Sequence, residues 1–419
     1  MVTAANRGGY ARANVSEVIA AAKVSRGTFY EYFADKDACF LATLADVRER
    51  LTDYVGRAVE GTATEEKPAA TLAAMIDFAI AEPAMARFLT ADALAGSPAA
   101  LDERDRAVAE VAEGIDDARK GAPPGTVLPD VPSRVLVGGV SRLVGSRLRR
   151  GDPGLSELRE ALLLWIKRYE RPVGEHRWRT MRPTRLKGPA PVIADPPLRP
   201  PRPLGPGRPR LSAEEVAKNH RERILLATAR LAETNGYTAT TVAQITKLAK
   251  VDARAFYGLF ADKQEAFMTV HELGFQHLMA VTAGAFFAGA TWPERSWQAA
   301  RAFTFFLESY PNMAHVGFVE AYAAGPGAVQ RVEDSHVAFT IFLREGYQYS
   351  EQDDPPSRVA LEAIIATVFE VIYEQSRKNA QPKMTGVLPA MMFLWLAPFM
   401  GVGQASEFIE GKLKAPART

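Results

Sequence analysis

A repeat limits most strongly what this chain can fold into. Residues 15–40, "VSEVIAAAKVSRGTFYEYFADKDACF", return at 242–267 as "VAQITKLAKVDARAFYGLFADKQEAF", with eleven identities in the twenty-six pairs at an offset of 227. Unrelated segments of average composition would share roughly two. Two copies of one small unit therefore have to fold, each beside a larger remainder. The repeated positions fall into two physical classes. Val18/Ile245, Ala22/Ala249, Val24/Val251, Phe29/Phe256 and Phe33/Phe260 fit two short helices crossing at a small alanine, with the phenylalanines one turn apart on the buried face. Tyr30/Tyr257 and Lys36/Lys263 lie off that face, where a phenolic hydroxyl and an ammonium at the start of the next helix suit phosphate oxygens. Lys23-Val24-Ser25 and Lys250-Val251-Asp252 supply a short turn and a Ser or Asp N-cap. The pattern predicts a helix-turn-helix in each copy. Its second helix would enter a DNA major groove N-terminus first, offering Arg26, Gly27 and Thr28 in one copy and Ala253, Arg254 and Ala255 in the other.

The rest of the chain sets the frame. Its 419 residues, 47% hydrophobic and 24% charged, suit a globular protein with two or three cores. The one cysteine, Cys39, allows no internal disulfide, and with no CxxC or Cys/His cluster neither structural zinc nor an oxidised scaffold is expected. A cytoplasmic setting follows, with no signal peptide and no cofactor. Residues 384–406 are uncharged and long enough to span a membrane, but prolines and glycines interrupt them, so a buried helix is expected instead. The net charge of +2 hides a basic stretch at 171–210, with ten Arg or Lys against Glu175 and Asp195 and with eleven prolines. Such a stretch reads as an extended solvated linker, and Arg208 and Arg210 near its end resemble short arms that lie in a minor groove. No phosphate-binding glycine loop, nucleophile elbow, HExxH or paired carboxylates occur, so no enzyme activity is expected.

Residues 15–40 resemble the helix-turn-helix of the TetR family of transcriptional regulators. The stretch from "RILLATARLAETNGYTATTV" onward is similar to that family over its whole DNA-binding region, opening helix included. The resemblance implies an all-α protein of two tandem units, each a DNA-binding helix-turn-helix with a larger helical domain for ligand binding and dimerisation. The expected boundaries are 1–44 and 45–172 for the first unit, 173–211 for the linker, and 212–268 and 269–419 for the second. Ser25, Arg26, Gly27, Thr28, Tyr30, Tyr32 and Lys36 would contact DNA in the first unit, and Thr240, Thr241, Arg254, Tyr257 and Lys263 in the second. Two departures stand out. Only eight residues precede Gly9-Tyr10, so the first unit is expected to lack its opening helix, leaving Phe29, Phe33 and Phe40 partly uncovered; either the frame continues upstream or this copy is degraded. In the second copy Asp252, Ala255 and Leu259 replace Ser25, Thr28 and Tyr32, and the carboxylate of Asp252 would repel phosphate.

Twenty-one aromatics lie in 268–419 against five in 41–170, which makes the second half the better home for an apolar effector. Phe303, Phe306, Phe318 and Tyr322 with His315, Glu320 and His336 are the expected pocket residues. The chain is thus read as a ligand-responsive repressor on a double-stranded DNA operator, self-associating through its C-terminal helices within one chain or as a homodimer. The competing reading is a helical interaction protein whose DNA-binding units have decayed. Pairing of the two halves with each other would make a single-chain pseudo-dimer reading two unlike half-sites.

Overall fold

The computed structural model describes residues 1–10, 12–152, 154–172, 186, 191–193, 196–199, 201, 212–351, 354–378 and 382–414. The fold is all-α. The first half runs α1 (Val2–Gly8), α2 (Val15–Ala22), α3 (Arg26–Tyr32), α4 (Lys36–Val59), α5 (Lys67–Ala81), α6 (Pro83–Arg87), α7 (Pro98–Lys120), α8 (Ser133–Arg150) and α9 (Leu155–Lys167). The second half follows with α10 (Ala213–Asn235), α11 (Val242–Ala249), α12 (Ala253–Tyr257), α13 (Lys263–Phe286), α14 (Trp292–Ser309), α15 (Pro311–Phe318), α16 (Pro326–Phe339), α17 (Arg358–Lys378) and α18 (Leu388–Lys414). Among the described residues the sheet content is one antiparallel pair, β1 (Val127–Pro129) with β2 (Glu170–Pro172), which ties the end of the first half to the segment that leads into α8.

Local sequence explains where the long helices begin. The repeated "ADK" places an aspartate at the N-cap of α4 and of α13, where Asp35 accepts from the Ala38 amide at 2.8 Å and Asp262 from the Glu265 amide at 2.8 Å. From these caps each helix runs twenty-four residues out of the small unit into the larger one. Met384–Leu413 is long and apolar enough to cross a membrane, yet Met384, Leu388, Leu396 and Ile409 are fully buried against the rest of the protein. Gly401 (φ 76) bends α18 after Pro398.

The opening of the first unit corrects the expectation of an uncovered core. Only a two-turn stump, α1, stands where the second unit has the twenty-three residues of α10. That stump nonetheless seats Ala4 and Ala5 in the core, and α6 with the π-helical turn Phe88–Asp92 covers what remains. Phe29 and Phe40 are buried and Phe33 is half-buried. The basic linker also differs from a purely solvated spacer: Pro197 is buried, and Leu186, Ile193 and Leu198 pack on the core.

The two halves meet along α8 and α17. Gly138 and Gly139 allow the close approach: a Cβ on Gly138 would stand 2.5 Å from Glu370 Cγ, and one on Gly139 would stand 2.9 Å from the Thr367 Cα. At the end of α9, the Tyr169 hydroxyl donates to the Leu394 carbonyl of α18 at 2.8 Å. The seam is strongly charged. Arg104 donates to both oxygens of Glu370 (2.5 and 2.8 Å), and Arg142 donates to Glu370 Oε2 at 3.0 Å and to the Tyr322 hydroxyl at 2.9 Å, all buried. Burial alone would raise the Glu370 carboxyl, but the two guanidiniums outweigh it and hold the pKa at about 2. Around this centre Arg134 pairs with Glu374, Arg147 with Glu362, and Arg149 and Arg150 with Glu333. Arg377, which pairs with Asp102 and Asp105, runs the other way.

Candidate nucleic-acid interface

Each small unit is built from the same parts. In the first, Asn14 caps α2 through a box with Glu17, accepting from its amide at 3.0 Å while Glu17 accepts from the Asn14 amide at 3.2 Å. In the second, Thr241 and Gln244 make the same box on α11. The chain then turns through a left-handed lysine, Lys23 (φ 56) or Lys250 (φ 52), so the repeat extends to a backbone conformation uncommon outside glycine. Ser25 caps α3 by accepting from the Thr28 amide at 3.0 Å, and Asp252 caps α12 by accepting from the Ala255 amide at 2.7 Å. Val18 and Phe29 in one unit, and Ile245, Phe256 and Phe260 in the other, are buried and hold the second helix against the first.

This packing leaves one face of the second helix in water. Arg26, Gly27, Tyr30 and Tyr32 are exposed on α3, and Ser25 and Thr28 stand at its start with their hydroxyls 2.9 Å apart. Arg254 and Tyr257 are exposed on α12. Thr241 is exposed but engaged in its cap. The second face is poorer: α12 is five residues against seven in α3, and it carries the exposed carboxylate of Asp252. Arg208 and Arg210 lie outside the described residues.

Three sequence assignments are corrected. Lys36 and Lys263, read as phosphate ligands, have their ammonium groups directed inward. Lys263 donates to the carbonyls of Tyr237 (2.9 Å), Thr238 (3.3 Å) and Thr240 (2.7 Å), which takes up all three of its N–H groups. Lys36 donates to the Tyr10 carbonyl at 3.1 Å and sits 4.1 Å over the Tyr10 ring. Both are half-buried, and desolvation lowers both pKa values. The lysine is a clamp that fixes the Gly-Tyr turn to the start of the long helix. Thr240 is buried and donates to the Gly236 carbonyl at 2.8 Å, so it supports the same turn from inside. The signal was present in both copies, since a Gly-Tyr pair precedes each lysine by the same twenty-six residues.

The Gly-Tyr turn also joins the small unit to the larger one. Glu320, in the 3-10 turn Glu320–Ala324, accepts from the Tyr237 amide at 2.6 Å, and its other oxygen is 3.4 Å from His315 Nε2. In the first unit Asp92 lies beside Gly9 without a hydrogen bond to the turn. Burial pushes its pKa up to about 6 against the pull of Arg87 and Arg149.

The expected effector residues divide among four places. Phe303 lines an apolar cavity of about 50 Å³ among α13, α14, α16, α17 and α18, with Ala299, Phe339, Phe369, Met392 and Trp395. Phe306 and Phe318 line a neighbouring cavity of about 30 Å³ around α15. His315 and Glu320 belong to the turn contact just described. Tyr322 and His336 belong to the seam, Tyr322 as the partner of Arg142 and His336 in a polar cavity beside α8, so neither is an apolar-pocket residue. Aromatic counting missed that the first half has its own apolar cavity of about 30 Å³, with the buried Arg104 at one side.

Residues 3–43 and again 224–267 match the family model of bacterial regulatory proteins, tetR family. No curated protein matches the sequence. Among solved structures the chain is similar to the fatty acid degradation regulator FadR from Bacillus halodurans, at 17% identity over 42% of this chain and 94% of that one (TM-score 0.38). It is also similar to a TetR family transcription regulator from Marinobacter aquaeolei VT8, at 16% identity over 44% of this chain and 97% of that one (TM-score 0.34).

Proposed function

The chain carries two TetR-type DNA-binding units in tandem, and from that premise we propose that it is a transcriptional repressor working as a single-chain pseudo-dimer on two unlike half-sites. The observation that carries this reading is the division of charge across the seam. Six arginines of the first half, Arg104, Arg134, Arg142, Arg147, Arg149 and Arg150, meet glutamates of the second. Pairing two first halves would bring the α8 arginines together, and pairing two second halves would bury Glu370 beside its copy. Like charges in a low-dielectric seam cost several kcal/mol, so unlike halves pair. The boundaries expected from the sequence, 1–44, 45–172, 173–211, 212–268 and 269–419, are retained in this reading, with the linker returning the chain to the same DNA in a cytoplasmic setting.

Base reading falls mainly to Arg26 and Thr28, with Ser25, Gly27, Tyr30 and Tyr32 beside them, and more weakly to Arg254 with Thr241 and Tyr257. Arg208 and Arg210 supply a minor-groove arm. An apolar effector in the cavity beside Phe303 would act on α15 through Phe318, whose ring packs edge-on against Phe303, and so disturb the Glu320 link that holds Gly236-Tyr237; release then begins at the second unit. The exposed Asp252 favours a second reading for that unit alone, in which its DNA contact has weakened and the first unit dominates.

Sedimentation velocity at micromolar concentration combined with operator selection tests the proposal. The expected result is a species at the one-chain mass of 45.7 kDa on a site with unlike halves. A dimer on a strictly palindromic site refutes it.

A further inference from the structure

Where α8 passes α16 and α17, the seam holds a charge-lined cavity of about 70 Å³ that the DNA-binding and effector roles leave unused. Its wall sets Arg142, Arg147, Arg150 and Arg358 beside Glu333 and Glu362, while Glu370 and Asp152 behind the wall pair with Arg142 and Arg147, which leaves Arg358 the least engaged of the four guanidiniums. Two shielded nitrogens there have no hydrogen-bond partner, His336 Nε2 and Arg147 Nε. Such an unmet donor costs on the order of 1–3 kcal/mol, which an arriving acceptor would recover. The His336 ring stays neutral because burial, and then Arg142, Arg149 and Arg150, hold its pKa well below the ordinary value. A neutral imidazole carries one N–H, and in the Nε2–H tautomer it offers that donor without bringing a charge of its own. At the mouth, the Arg358 side chain is 90% exposed and its Nε lies 3.4 Å from Glu362, so most of its guanidinium faces water. The remaining wall is mixed, with Ser146 and Thr340 beside the apolar side chains of Leu143, Val337 and Ile365.

We propose that this seam cavity binds a small organic carboxylate, with the head group held by His336, Arg147 and Arg358 and a short hydrocarbon body lying on Leu143 and Ile365. The ligand touches both halves, so occupancy stabilises their pairing by mass action. The cavity is separate from the apolar one beside Phe303, and this inference stands or falls independently of the effector reading.

Calorimetric titration of the full chain with hexanoate, hexan-1-ol and inorganic phosphate is the test. Hexanoate binds, while hexanol and phosphate each bind at least about tenfold more weakly, because one lacks the charge and the other the apolar body. His336→Phe and Arg358→Gln each weaken hexanoate about tenfold. Arg358→Gln changes an exposed side chain, so its effect does not depend on folding. Ala299→Trp, which fills the apolar cavity beside Phe303, leaves hexanoate binding in place. The proposal is overturned by no hexanoate binding at millimolar concentration, by hexanol or phosphate binding as tightly as hexanoate, by indifference to Arg358→Gln, or by loss in Ala299→Trp alone.

Discussion

Replacing Glu370 with alanine tests the seam at its centre. The wild-type carboxylate accepts four hydrogen bonds: two from Arg104 at 2.5 and 2.8 Å and two from Arg142 at 3.0 and 3.3 Å. Arg104 is 1% exposed and Arg142 3%, so neither guanidinium can recover its hydration when the carboxylate is lost. Breaking a buried pair by removing one partner costs about 3–5 kcal/mol, and here two cations are stranded, which places the expected loss at the upper end. Urea unfolding followed by tryptophan fluorescence measures it. The companion variant carries Arg104→Met, Arg142→Met and Glu370→Leu together. Replacing a whole buried ionic cluster with apolar groups is often neutral in stability, so this variant should regain most of the loss. Having lost the charge rule against like pairing, it should also form dimers in sedimentation. Acid gives a second view. The folded pKa of Glu370 lies below its ordinary value of 4.5, so its contribution is complete above pH 4.5 and disappears as the pH falls through about 2. A loss under about 1 kcal/mol in Glu370→Ala, or a triple variant as unstable as the single one, would refute the argument.

Arg26→Ala should flatten base preference at the first half-site, at a cost of about 1–3 kcal/mol of discrimination in competition binding, while Arg254→Ala changes preference less. Lys263→Met should lower the thermal stability of the second small unit, since three carbonyls lose their donor, at about 1–3 kcal/mol in all; a variant with unchanged melting and uniformly weaker DNA binding would restore the phosphate role. Asp92→Asn should stabilise the protein at pH 7 by up to about 3 kcal/mol. The Asp92 pKa is raised from 3.8 to about 6, so the charged form is penalised in the folded state: the penalty is absent below pH 3.8 and complete above about pH 6. Equal unfolding midpoints for Asp92→Asn and wild type across that range would remove it as a buried charge.

By itself the sequence determined the parts that local chemistry governs. Helix-turn-helix units in tandem, caps at Ser25 and Asp252, and the burial of Phe29 and Phe256 follow from residue type and spacing within a few turns, and these were legible at an offset of 227. The exposure of Arg26, Tyr30 and Arg254 was legible for the same reason, because what is not on the apolar face must meet water. Tertiary structure decided where groups distant in sequence come together. Lys36 and Lys263 look like surface cations from their neighbours alone, and only the return of the Gly-Tyr turn over the start of the long helix supplies the carbonyls that take them inward. Glu320 reaches Tyr237 across eighty-three positions, and Arg104 reaches Glu370 across 266. Aromatic counting placed Tyr322 and His336 in an apolar pocket, because composition carries no information on which helix α8 will cross. That crossing depends on Gly138 and Gly139 admitting α17 to within contact of their backbone, and it sets six arginines of one half against the glutamates of the other.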